Sequence, residues 1–280
     1  MRIPIHGVDE RFENEEEVLE YILRFCNLIV EKAKQVCPIP AINDIPAYTL
    51  EFIHKVLIQV STMVKISRER VDYNTVCALV RIMADNIASI NLIYEIKYPE
   101  EKALRHFLYI LDGISLRYNM LKEHPMRYDG TIPEESFEAL KNQVEGAKEN
   151  AGRCINFCTN VIKHLPVYAE RSRDVDNLIR TKNWKFKTID KPNEFYTWKE
   201  MYEMLKIKEG KEMFSFFSQY VHGLSVSNIA MGDKDDFQAP LSFAVCLLGW
   251  LLDFLRREYE PHIGEYTHSD LMRLAPELFG

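Results

Sequence analysis

Apolar residues recur at helical spacing in segment after segment of this chain, and prolines separate many of the segments. Glu15, Glu16 and Glu17 follow Asn14, and acids next to a capping residue favour a helix start there, with the helix running to about Cys37. Later patterns predict helices over about 46–70, 75–96, 99–124, 133–165, 197–210, 211–222 and 238–259, with a short one in the tail. The sequence therefore predicts an all-α bundle of about eight or nine helices.

One stretch departs from this pattern. Residues 184–189 alternate in polarity and are followed by Asp-Lys-Pro-Asn, which predicts a short irregular or strand-like excursion near 183–196. The proline-bounded segment 125–133 is the predicted seam between two halves, about 1–124 and 133–280. We expect residues 1–280 to form a single helical domain with these two halves.

Charge and composition limit the classes of function. The formal net charge of −7 argues against a protein that coats nucleic acid or an anionic membrane through general positive charge. The longest apolar stretch, 241–255, is shorter than the roughly 20 residues that span a bilayer, so we expect a core helix and no membrane partner. The N-terminus shows no secretory signal pattern, and the six cysteines lack a secreted-type framework. These features predict a cytoplasmic protein with reduced thiols.

The predicted helix 211–222 has an unusual polar face. Ser215, Ser218, Gln219 and His222 lie along one stripe, and aromatic and aliphatic residues cover the rest. In a chain that is 28% charged, a surface face would normally carry Glu and Lys. A stripe of hydroxyl, amide and imidazole groups instead suits a polar pocket, and we expect these side chains to bind a ligand there.

A second polar position occurs in the apolar helix 75–96. Arg81 and Asp85 lie four residues apart on one face. In the segment 75–95 the only other charged residue is the last one, Glu95. Charges in a largely buried helix need partners, because leaving one unpaired costs several kcal/mol. The alternative is a plain intrahelical ion pair, which is worth about 0.2–0.5 kcal/mol.

Ser218 and His222 lie one helical turn apart, so the hydroxyl and the imidazole can share a hydrogen bond or a ligand. Asp85 could orient the histidine as in a Ser-His-Asp hydrolase if the two helices face each other. Such hydrolases, however, favour a nucleophile on a tight turn. A structural Ser and His in a polar seam is the competing interpretation.

The pairs Arg81-Ile-Met-Ala-Asp85 and Ser218-Gln-Tyr-Val-His222-Gly223 resemble a broad family of uncharacterised all-helical bacterial proteins. Members carry Arg-x3-Glu/Asp in an early apolar helix and Ser-x3-His, often followed by Gly, in a later one. The resemblance covers the region from the third helix to the core helix, with Asp85 where Glu is common. It implies a polar site in an α-helical fold and brings no activity with it.

A further resemblance is to HEPN domains, which are helical ribonucleases and nucleotide-binding modules with an Arg-x4–6-His site. Arg257 to His262 and Arg117 to His124 have this spacing. The resemblance implies that an RNA or a nucleotide is the ligand.

Arg180-Thr-Lys-Asn-Trp-Lys-Phe-Lys187 is a cluster of basic and aromatic residues. Its nucleic-acid contacts would be made by Arg180, Lys182, Trp184, Lys185 and Lys187, because cations pair with phosphates and aromatic rings stack on exposed bases. The alternative is an exposed arm whose aromatic rings pack on the body of the protein.

Metal and cofactor motifs are weak. Glu51-x2-His54 and Glu265-x2-His268 match one element of a di-iron bundle without the matching pair of Glu helices, and Cys154-x3-Cys158 lacks a second pair of zinc ligands. No glycine-rich phosphate loop or dinucleotide motif occurs. We therefore expect neither a metal nor a cofactor.

These observations lead to one functional hypothesis and one alternative. In the first, the protein is a HEPN-like, nucleotide- or RNA-directed defence or stress component. His222 is its general acid/base, Arg81 stabilises phosphate charge, Asp85 orients Arg81 or His222, and Ser218 binds the ligand. In the alternative, the same four residues form a structural network in a non-enzymatic interaction module. Both are compatible with a homo-oligomer.

Overall fold

The computed structural model describes residues 12–37, 41–69, 72–208, 210–221, 232–233, 235–267, 269–270 and 273. In these residues the chain forms nine α-helices and no sheet, which confirms the predicted all-α fold. The helices are α1 Glu15–Val36, α2 Ile45–Glu69, α3 Tyr73–Tyr94, α4 Pro99–Glu123, α5 Glu134–His164, α6 Pro166–Thr181, α7 Trp198–Met204, α8 Gly210–Val221 and α9 Gln238–Ile263.

Capping side chains explain the starts of α1, α2 and α3. The Asn14 side chain accepts a hydrogen bond from the Glu17 amide at 3.0 Å, as expected of a capping residue. Asp72 does the same for the Thr75 amide at 3.1 Å and is the cap of α3. Asp44 accepts from the Ala47 amide at the start of α2. Short polar side chains thus satisfy backbone donors that have no partner inside the helix.

Three helices differ from the sequence expectation. Helix α7 ends at Met204, whereas the pattern predicts a helix that continues to about residue 210. The patterns predict no helix at 166–181, yet α6 forms there with Pro166 in its first turn and non-helical backbone angles at Arg171. Helix α9 continues past Tyr259 and includes Pro261. Proline is an expected break because it lacks an amide donor, but near a helix end this removes only one hydrogen bond.

The helices group into two compact units. The first contains residues 1–91 and 198–280, and the second contains residues 92–197. The segment 125–133 lies inside the second unit. Residues 92–94 of α3 belong to the second unit and the rest of the helix to the first.

In the first unit, α1 packs against α2 and α9. Helices α1 and α9 run parallel, since Gln238 at the start of α9 donates to Glu15 at 3.1 Å and Arg256 farther along lies over the Phe25 ring. The end of α9 lies beside the start of α2, because the Tyr259 hydroxyl donates to the Pro46 carbonyl at 2.8 Å. The core is filled by Phe25, Ile29, Ile53, Phe254 and Leu255, each at most 1% exposed.

In the second unit, α4 and α5 pack against each other, and α6 packs against both. The segment 183–196 is an irregular hairpin held by one antiparallel bridge between Phe186 and Phe195, which confirms the predicted excursion. Arg105 on α4 anchors the hairpin. Its guanidinium donates to the Trp184 carbonyl at 3.0 Å and lies 3.9 Å from the Phe186 ring centroid.

Two helices, Tyr73–Tyr94 and Gln238–Ile263, are long and apolar enough to cross a membrane when judged by length and composition. Buried residues make up 61% and 56% of their apolar windows, respectively. Core helices pass the same length test, so these values are weak evidence for a membrane span.

Candidate functional site

Arg81, Asp85 and Ser218 meet in the first unit, although Arg81 and Ser218 are 137 positions apart in the sequence. The Arg81 Nε donates to the Ser218 hydroxyl at 2.7 Å, and Nη1 donates to the Asp85 carboxylate. Helix α3 thus faces α8 at these positions. The Arg81 side chain is 13% exposed and that of Asp85 is 33% exposed, so the pair lies at the edge of the core.

Tyr202 on α7 completes this group. Its hydroxyl donates to the same Asp85 oxygen that accepts from Arg81, and the Arg81 guanidinium lies 5.1 Å from its ring centroid. Burial, together with the hydrogen bond to Asp85, raises the pKa of the Tyr202 phenol, so the phenol stays protonated and donates a hydrogen bond to Asp85. We call Arg81, Asp85, Tyr202 and Ser218 the polar cluster.

Tyr202 is a member of the cluster that the sequence does not predict. The residue lies in the short helix α7, whose pattern Thr197-Trp-Lys-Glu200 signals only a helix start. Its ring packs edge-on against Phe214 at 4.7 Å, as a core aromatic would. Nothing in the sequence distinguishes this tyrosine from the other 13 in the chain.

An aromatic group lies two turns before Arg81 on α3. The Tyr73 ring makes edge-on contacts with Tyr220 of α8 at 5.5 Å and with Phe237 at 5.4 Å. Gly232 approaches Tyr73 so closely that a Cβ atom there would lie 2.6 Å from the ring, and its φ of +70° also favours glycine. Gly232, which lies between α8 and α9 in the sequence, therefore contacts the start of α3.

The other predicted ligand-binding residues of the stripe are less closely involved. The Ser215 hydroxyl donates to the Lys211 carbonyl of its own helix at 2.9 Å, and Ser215 and Gln219 are both exposed. His222, the predicted general acid/base, lies outside the described residues, as do Gly223 and His268. Among the predicted site residues, the structure thus brings together Arg81, Asp85 and Ser218.

Base stacking requires exposed aromatic rings, but the rings of Trp184 and Phe186 in the basic and aromatic cluster are buried. Trp184 is 5% exposed and packs edge-on against Tyr109, and Phe186 is fully buried. The Trp184 indole also donates to the Asp112 carboxylate at 3.3 Å. These contacts favour the alternative in which the Trp184 ring packs on the body of the protein, because the ring anchors the hairpin to α4.

The basic residues of that cluster stay accessible. Arg180 is exposed and donates to Asn177, while Lys182, Lys185 and Lys187 are half-buried. The Lys185 ammonium lies about 6 Å from the rings of Trp184 and Phe195. This arrangement matches an exposed arm with packed rings more closely than a stacking platform.

Within the described residues, no group of three or more His, Cys, Asp or Glu side chains is placed to hold a metal ion. His54 contacts the Lys34 ammonium at 2.8 Å through Nδ1, and Glu51 lies 3.8 Å from both. All six cysteines are free. Burial is the main reason that the pKa of Cys158 is raised to about 12, and nearby Cys154 contributes, so both facts favour a neutral core thiol.

Comparisons of the chain with protein-family models, with curated proteins and with solved structures find no match.

Proposed function

We propose that the polar cluster binds a phosphate-bearing ligand, either a nucleotide or an RNA. The observation that carries this proposal is the fixed orientation of the Arg81 guanidinium. Its Nε and Nη1 groups are held by Ser218 and Asp85, while Nη2 makes no hydrogen bond to any residue that the structure describes. A guanidinium oriented in this way has donors left for a phosphate oxygen.

The partners of Arg81 also reduce the cost of binding. Ordering a flexible side chain at an interface costs about 0.5–1.5 kcal/mol, and here the protein has already ordered it. Tyr202 fixes Asp85, and Asp85 fixes Arg81. Because the Asp85 carboxylate compensates the charge of Arg81, binding depends on directed hydrogen bonds more than on net positive charge.

His222 is the general acid/base in this proposal. It follows Ser218 by one helical turn in the sequence, which favours a position beside the cluster. In RNA cleavage, the imidazole would take or give the proton of the attacking or leaving oxygen while Arg81 stabilises the phosphate charge. HEPN domains likewise combine an arginine with a histidine, although their Arg-x4–6-His spacing differs from that of Arg81 and His222.

The test combines binding and cleavage. Calorimetry measures binding of adenosine and guanosine nucleotides, and a fluorescently labelled single-stranded RNA reports cleavage. Arg81→Lys keeps the charge but loses the planar fork, so affinity should fall about tenfold, equivalent to about 1.4 kcal/mol. His222→Ala should abolish cleavage and leave binding intact. Arg153→Lys is the matched control, because Arg153 is an exposed arginine outside the cluster.

Two results would contradict the proposal. One is wild-type affinity for the same nucleotide in Arg81→Lys, which would mean that the guanidinium does not contact the phosphate. The other is the absence of nucleotide binding and of RNA cleavage by the wild-type protein itself.

The second candidate function is a non-enzymatic interaction module in which the cluster fixes the register of helices α3, α7 and α8. It is favoured by the 13% exposure of Arg81 and by the three contacts that this side chain makes inside the protein. Under this alternative, His222→Ala or Arg81→Lys lowers thermal stability without any change in ligand binding.

A further inference from the structure

A cavity of about 400 Å³ lies in the first unit between α9 and the segment that joins α7 to α8. This volume falls within the roughly 300–1,000 Å³ range of small-molecule pockets. Gly249 contributes to the cavity, because a Cβ added there would have no atom within 4 Å. The apolar part of the wall consists of Ile22, Leu205, Ile207, Trp250 and Leu252.

The polar part of the wall is mainly cationic. Lys206, Lys208 and Arg256 line the cavity together with a single carboxylate, Asp253. This excess of positive charge is local, since the whole chain has a formal net charge of −7. A pocket that combines apolar walls with several cations suits a ligand with an anionic head and an apolar body.

Arg256 is the polar group in this wall that most needs a partner. Its side chain is only 24% exposed, and its Nε atom is buried without a hydrogen bond. Glu260 lies 3.4 Å away, but its buried oxygen also lacks a hydrogen bond, so the two atoms form an ion pair without hydrogen-bond geometry. The buried Nε is out of reach of a ligand, but neither Nη group donates a hydrogen bond to a residue that the structure describes, so these donors can serve an acceptor in the cavity.

We propose that this cavity binds an amphipathic anion, with a carboxylate or phosphate head that accepts hydrogen bonds from Arg256. The apolar body of the ligand packs against Trp250 and Leu252. Arginine suits this role because its planar fork can donate two parallel hydrogen bonds to one anionic group. The cavity shares no residue with the polar cluster, so either site can fail its test while the other stands.

Cys246 provides a direct readout because it lines the same cavity and is exposed. A bound ligand should shield its thiol from iodoacetamide, and mass spectrometry of the digested protein measures the rate of alkylation. Cys37, a half-exposed cysteine outside the cavity, is the internal control. At a ligand concentration of about ten times Kd, roughly one tenth of the sites stay free, so alkylation of Cys246 should slow about tenfold.

Four probes separate the parts of the ligand. Octanoate and octyl phosphate carry an anionic head on an apolar chain, 1-octanol lacks the charge, and acetate lacks the chain. We expect at least one of the two anionic amphiphiles to protect Cys246, and comparing them identifies the preferred head. For 1-octanol and acetate, the concentration that protects Cys246 should be at least about tenfold higher. The reason is that a charged hydrogen bond and a buried chain each contribute more than about 1.4 kcal/mol to binding.

Two variants test the contacts. Arg256→Gln should abolish protection by the anionic amphiphiles, whereas Arg257→Gln, which changes the neighbouring exposed arginine, should leave it unchanged. Gly249→Leu fills the cavity and should also abolish protection. Because the added Cβ meets open space and leucine favours a helix, this variant should remain folded even if Arg256→Gln does not.

The proposal is wrong if neither anionic amphiphile slows alkylation of Cys246, or if 1-octanol protects as well as octanoate. It is also wrong if folded Gly249→Leu protein is protected as well as the wild type. Slower alkylation of both Cys246 and Cys37 would contradict it too, because that result indicates a general effect of the amphiphile on the protein.

Discussion

The change Tyr202→Phe tests whether the polar cluster acts as a unit. It removes one hydroxyl and leaves the ring, so the contacts of Tyr202 with Phe214 and with the Arg81 guanidinium are kept. What is lost is the hydrogen bond that the phenol donates to the Asp85 carboxylate. The change therefore isolates one interaction of the cluster.

The expected cost follows from the charge and exposure of the acceptor. A hydrogen bond to a charged group contributes about 1.5–3 kcal/mol. The Asp85 side chain is 33% exposed, so water can replace part of the lost bond, and Arg81 continues to pair with the carboxylate. We therefore expect Tyr202→Phe to lower the free energy of unfolding by about 1–2 kcal/mol.

Urea unfolding, followed by circular dichroism and tryptophan fluorescence, measures this change. A double-mutant cycle with Asp85→Ala, which removes the acceptor, separates the pair from its surroundings, and a coupling energy of about 1 kcal/mol is expected. Tyr128→Phe is the control, because Tyr128 is 49% exposed and outside the cluster. A coupling energy below about 0.3 kcal/mol would refute the reasoning, since distant residues show that much by chance.

Three further predictions concern other parts of the molecule. Gly146→Ala in α5 should raise the free energy of unfolding by about 0.5–1 kcal/mol in urea titrations, because the added Cβ meets no atom within 4 Å. Arg105→Met should destabilise the hairpin by about 2–4 kcal/mol, because it leaves the Trp184 carbonyl and Glu101 without their buried partner. A red shift of Trp184 fluorescence should report this loss. Burial raises the pKa of Tyr202, so the folded state keeps this proton above pH of about 10, where the unfolded chain releases it. The free energy of unfolding should therefore fall as the pH rises beyond about 10, and urea titrations from pH of about 8 to 11 should show a smaller fall in Tyr202→Phe.

Short-range signals in the sequence predict most of the helices. Asn14 and the three acids after it mark the start of α1, and the structure places Asn14 as its cap. Proline is a less reliable signal of helix boundaries. Pro99 begins α4 as expected, whereas Pro261 lies inside the last turns of α9. Helix α6 is not predicted, although Val175 and Leu178 lie at helical spacing within its charged sequence and are both buried.

The sequence predicts part of the candidate site. Helical spacing places Arg81 and Asp85 on one face of α3, and their ion pair needs no knowledge of the tertiary fold. The polar character of two helices predicts that Arg81 and Ser218 share one site. The hydrogen bond between their side chains agrees with this prediction. Tyr202 joins the cluster only through the packing of α7 against α8.

Helix spacing determines by itself which residues share a face, because that depends only on 3.6 residues per turn. It therefore settled the all-α fold and the polar face that includes Ser218. The tertiary structure alone decided which faces meet, because helix packing depends on contacts between residues far apart in the chain. For this reason Trp184 is a buried anchor, although it lies in a basic and aromatic segment typical of base stacking. For the same reason Arg256 lines a cavity and its Nε has no hydrogen bond.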